Sequence, residues 1–296
     1  MSAELKRPTD VEVAADAGQI LQKAQIPNIL MGWTVMRLYT GPCNFRLGDI
    51  TFVIPDALLD AARDALSDAA RGVHTEDEKY WTPCLTTRKT PQKPWLPQTQ
   101  KYMPGSGDKL SRHPNPAHHF HINYYIAVYL VPQSENLWWL PETSMQPGLP
   151  DPNLNPYVTL STDSSLPFPD HWRDLFPLRV LKTGTFIEAI LHLWMRDNRR
   201  QHETDLWMFW DGLAGSLQHG PASQVHLRDG FQRAWDFCRG EFDHLYQKAI
   251  KRGIDVDCHF HLIGLIQLRE QLRKDGRFPL ELKEVGLPDT RWLDGL

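Results

Sequence analysis

The sequence predicts a mixed α/β (α+β) chain, with a mixed sheet, flanking helices and a C-terminal helical region. Three observations carry this. Short β-branched and aromatic runs alternate with segments of helical apolar spacing through the first two thirds of the chain. Beyond residue 204 the spacing is helical throughout. At 296 residues, with 41% hydrophobic and 23% charged content, the chain can bury a sizeable core. The organisation read from these is an α/β core over 9–200, a helical region over 201–275 packed on it, and an irregular tail over 276–296.

The elements follow in order. Val13, Ala14, Ala17, Ile20, Leu21 and Ala24 recur at helical spacing, with Thr9 or Asp10 placed to cap the first turn and Pro27 beyond the end. Ile29 to Met31 is a short apolar strand closed by Gly32, from which a helix over Trp33 to Tyr39 departs. Asp49 to Ile54 reads as a buried strand stopped by Pro55, and Asp56 as the cap of a helix running to Gly72. Strands are expected at Tyr80 to Thr86, His118 to Val131, Tyr157 to Ser161 and Leu178 to Leu181, with proline-rich loops at 89–116 and 141–156. Thr183 caps a helix whose apolar face holds Phe186, Ile187, Ile190, Leu191 and Trp194, and Glu188 falls on its solvated side. Helices are then expected over Thr204 to Leu217, Leu227 to Lys251 and Val256 to Lys274.

A net charge of −4 gives no overall attraction to nucleic acid or to an anionic membrane. The N-terminus lacks the apolar stretch of a secretory signal and no apolar run approaches the ~20 residues of a membrane span, so a cytoplasmic location is expected. Cys43, Cys84, Cys238 and Cys258 are scattered without a CxxC pair and read as idle thiols.

The common phosphate-binding loops and the hydrolase nucleophile elbow are absent. Two His-x-His pairs stand out. His119 and His121, on a strand, share a face. His259 and His261, on a helix, do not. Two ligands fall short of the three or four that a metal site takes, so the first pair ranks as structural or pocket-lining before metal-binding. Trp138 and Trp139 are read as alternating faces of a strand, and Trp33 and Trp81 as core.

The strand, glycine and helix of Ile29 to Tyr39, followed by Gly48-Asp49-Ile50-Thr51-Phe52-Val53-Ile54-Pro55-Asp56, resemble the opening of the nucleotidyltransferase-fold superfamily. Over residues 9 to 217 the segment order is most like the members of that superfamily from filamentous fungi. The resemblance implies a glycine turn that grips phosphates and a strand whose Asp-x-Asp holds two divalent ions. It also implies a nucleotide and Mg²⁺ as cofactors, Gly32, Trp33 and Arg37 as cofactor-binding residues, and Asp49 as metal ligand and catalytic residue. The chain departs from the pattern. Thr51 stands where the second carboxylate is expected, and Trp33 where a serine would follow the glycine.

The function expected is therefore that of a nucleotidyltransferase-fold protein with an impaired two-metal site, binding a nucleotide or a phosphorylated small molecule, with His119 and His121 as further catalytic candidates. As an enzyme it would be a transferase; otherwise it is a degenerate or repurposed member. The alternative is a metal-independent small-molecule binding or cyclisation protein, with an aromatic pocket and histidines as acid and base. A third expectation is a scaffold whose amphipathic run 227–251 takes a partner or a second copy.

Overall fold

The computed structural model describes residues 9–41, 48–72, 82–83, 117–121, 126–146, 155–197, 206–228, 230–252 and 263–278. The chain divides into two compact units, Met1–Thr183 and Gly184–Leu296.

The first unit is a mixed α/β unit. Its helix α1 (Asp10–Lys23) is started by a capping box. Thr9 Oγ1 accepts from the Glu12 amide at 3.2 Å, while the Glu12 carboxylate accepts from the Thr9 amide at 2.7 Å. After Gln25, at φ 59°, the chain enters β1 (Ile29–Met31), and Gly32 turns it into α2 (Trp33–Thr40). Strand β2 (Gly48–Ile54) leads through a 3₁₀ turn at Asp56–Leu58 into α3 (Leu59–Gly72). Asp56 does not cap its own helix. Its carboxylate accepts from the Ser134 amide at 3.0 Å and from the Ser134 hydroxyl at 2.5 Å, and so fastens the single turn α4 (Gln133–Asn136).

The remaining strands of this unit are β3 (Thr82–Pro83), β4 (His118–His121), β5 (Ile126–Pro132), β6 (Val158–Leu160) and β7 (Arg179–Leu181). Together they make a seven-stranded sheet in the order β3-β4-β5-β2-β1-β7-β6. Two pairs are parallel: β2 pairs with β5 from Gly48↔Ile126 to Ile54↔Pro132, and β1 pairs with β7 through Leu30↔Val180. The β1–β2, β3–β4, β4–β5 and β6–β7 pairs are antiparallel. Every residue of β5 is buried, as expected of a strand inside a sheet covered on both faces. A β-carbon on Gly18 would lie 2.0 Å from Leu178 Cδ2 and 3.8 Å from Phe52 Cε1, so α1 covers the face that carries the even-numbered residues of β2.

Two expectations about this unit are corrected. The stretch 118–131 is not one strand: β4 and β5 form an antiparallel hairpin with His121 opposite Ala127, because the alternating His-Phe-His segment and the fully buried run after it pair with each other. Trp138 and Trp139 follow α4 in a turn and do not lie on a strand, since the turn fastened by Asp56 ends the extended chain at Pro132.

The second unit is helical where described, with α5 (Thr183–Asp197), α6 (Leu206–Leu217), α7 (Phe231–Cys238), α8 (Asp243–Lys251) and α9 (Ile263–Lys274). The stretch 227–251 is two helices instead of one, divided at Gly240 with φ 77°. Glu188 is buried, not solvated. It accepts from the Arg228 amide at 3.1 Å and from Arg228 Nε at 2.7 Å. Asp197 accepts from Trp210 Nε1 at 2.6 Å and from Nε and Nη2 of Arg196. His259 and His261 lie outside the described residues. Among the described residues no helix is long and apolar enough to cross a membrane.

Candidate functional site

The glycine turn between β1 and α2 is built as the sequence suggests. Gly32 has φ 80° and ψ −154°, a conformation essentially confined to glycine, and it is the N-cap of α2 without a side-chain cap bond. A β-carbon at position 32 would lie 3.3 Å from Thr51 Oγ1 and 3.6 Å from Thr51 Cβ, so the turn rests on the middle of β2. Trp33, the first residue of α2, is 8% exposed and Thr51 is 5% exposed.

Strand register extends the site across the sheet. Met31 pairs with Thr51, Thr51 with Tyr129, and Tyr129 with His119, giving one row over four strands. The next row along joins Asp49, Ala127, His121 and Thr82. Because paired positions and positions two apart share a face, Asp49, Thr51, His119 and His121 occupy one face of the sheet. It is the face opposite α1. Asp49 and His121 are separated by a single strand at Ala127, which places their backbones ~10 Å apart.

Within this face the ring of His119 stacks on Tyr129, with centroids 5.9 Å apart and planes at 24°, and both residues are buried. His118 belongs to the other face, where its Nε2 lies 3.1 Å from Asp60 of α3. Burial holds the His118 imidazole below its ordinary range, with Arg63 acting in the same direction and Asp60 opposing.

Arg37 stands apart from the row. It lies in the last turn of α2, its Nη1 is held by Asp10 at 2.8 Å, and it borders a depression that it shares with Glu12, Asp170 and Asp174. Those acidic neighbours make that depression a poor place for a phosphate.

The donor set of the sheet face fits a pair of divalent ions poorly. Thr51 offers a neutral hydroxyl, and imidazoles are softer donors than the carboxylates that hard cations take. Among the described residues no group of three or more His, Cys, Asp or Glu is arranged to hold a metal ion. The residue that sequence reasoning missed is Tyr129. It sits between Thr51 and His119 only because β5 runs parallel to β2, and nothing in the local pattern of a fully apolar strand reports that register.

No family model, no curated protein and no solved structure matches the chain.

Proposed function

We propose that the chain is a nucleotidyltransferase-like protein that binds a nucleotide or a phosphorylated small molecule at the Gly32 turn, without the ion pair that nucleotidyl transfer requires. The observation that carries this reading is the meeting of the Gly32 turn with Thr51, in a row that continues through Tyr129 to His119. A helix N-terminus entered through a glycine presents backbone amides to an anion. Thr51 at the second carboxylate position removes the charge that would clamp two metals around a reacting phosphate. In this reading His119 and Tyr129 form a buried polar wall of the site, and Asp49 and His121 stand on its outer row.

The test is the thermal midpoint measured with ATP, GTP, CTP and UTP, each with and without Mg²⁺. A ligand that binds only the folded chain raises the midpoint by mass action. The expected outcome is a rise with at least one nucleotide that is the same in the absence of Mg²⁺. A rise that requires Mg²⁺ and disappears in Asp49→Ala would replace this reading with a working metal site. No rise with any nucleotide would overturn it in favour of a metal-independent small-molecule site.

A further inference from the structure

At the opposite end of β1 from Gly32, Arg179 is 7% exposed, and its Nη1 is enclosed without a hydrogen-bond acceptor. No ion pair engages it among the described residues. Burial alone depresses its ionisation, with no carboxylate acting against that. A buried guanidinium in this state is costly, and chains retain such groups where an anion completes them. Arg179 also lines a depression of about 310 Å³. The remaining lining has no acidic residue. Gln22, Gln25 and Asn28 contribute amides, and Phe176 and Pro177 an apolar wall.

From these observations we propose that the depression is a binding site for a small carboxylate-bearing molecule, its carboxylate taken by Arg179 and its apolar part lying on Phe176 and Pro177. A guanidinium matches a carboxylate by two parallel N–H bonds, and the apolar wall of Phe176 and Pro177 suits an organic acid better than inorganic phosphate. The site is independent of the Gly32 turn, since about four residue steps of extended chain set Asn28 and Gly32 ~13 Å apart.

The experiment is the thermal midpoint of the full chain as sodium acetate replaces sodium fluoride at constant ionic strength, with inorganic phosphate as a parallel series. Acetate is expected to raise the midpoint by about 3–5 °C at tenfold excess over its dissociation constant. Arg179→Met should abolish the rise while keeping a cooperative transition. Gln22→Glu, which supplies a carboxylate from the chain itself, should raise the midpoint without acetate and remove the acetate response. Absence of an acetate effect, an equal effect in Arg179→Met, a response to phosphate alone, or a lowered midpoint in Gln22→Glu would each overturn the proposal.

Discussion

Gly32 and Thr51 meet so closely that a β-carbon on Gly32 would lie 3.3 Å from the Thr51 hydroxyl oxygen. Gly32→Ala adds this contact to a backbone conformation that disfavours any side chain, and the two act in the same direction. A loss of about 1–3 kcal/mol is expected in urea unfolding. Gly32→Ala in a Thr51→Ala background, which lacks the hydroxyl, should cost less than in the natural chain by only the part due to the contact, and no cost at all there would mean that the backbone at 32 is unstrained.

Tyr39 on α2 donates its hydroxyl to the Leu181 carbonyl at 2.6 Å, from a fully buried position, and burial pushes its phenol far up. Tyr39→Phe leaves that contact without its donor at little change of shape. The expected cost is about 1–2 kcal/mol. An unchanged denaturant midpoint would show that the bond contributes nothing net.

His192 on α5 is buried, and its imidazole is held down to about 3 by burial first, then by the charges of Arg228 and Arg277. In the unfolded chain it takes up its proton near 6.5. Between these two values the unfolded chain binds more protons than the folded one, so stability falls as pH is lowered through 6.5 toward 3 and is unaffected above. One such group contributes at most ~1.4 kcal/mol per pH unit. His192→Leu should flatten the slope of unfolding free energy against pH in this window, and equal slopes in both proteins would refute the assignment.

Gly264 on α9 approaches α7 so closely that a β-carbon would lie 2.8 Å from Ala234 Cα and 2.9 Å from Phe237 Cβ. Backbone cannot yield as a side-chain tip can. Gly264→Ala should therefore destabilise the chain by about 1–3 kcal/mol, although alanine is the better helix former. A more stable Gly264→Ala variant would mean that the two helices separate freely.

The path α1-β1-α2-β2-α3 was legible because it rests on local signals. The Thr9 cap, the glycine at 32, the β-branched run of β2 and the alanine spacing of α3 each act within a few residues. The hairpin of β4 and β5 was not, since a strand and its reversal share the same apolar composition, and Gly240 inside an amphipathic run looks like a tolerated interruption until its φ is known. The shared face of Asp49, Thr51, His119 and His121 needed the register of two strand pairs, β2 with β5 and β5 with β4. Arg179 did leave a signal, a charge inside the run Leu178-Arg179-Val180-Leu181, but its burial and lack of a partner come only from tertiary packing.

The position of β1 in the sheet has a consequence for synthesis. Its neighbours are β2, which follows at once, and β7, whose Val180 pairs with Leu30 across most of the first unit. While the nascent chain leaves the ribosome, one edge of β1 therefore waits open until residues 179–181 emerge, exposing the apolar Ile29, Leu30 and Met31 to other chains. Translation products that stop short of β7 should accumulate as aggregates or be bound by chaperones, whereas those that extend past it should not.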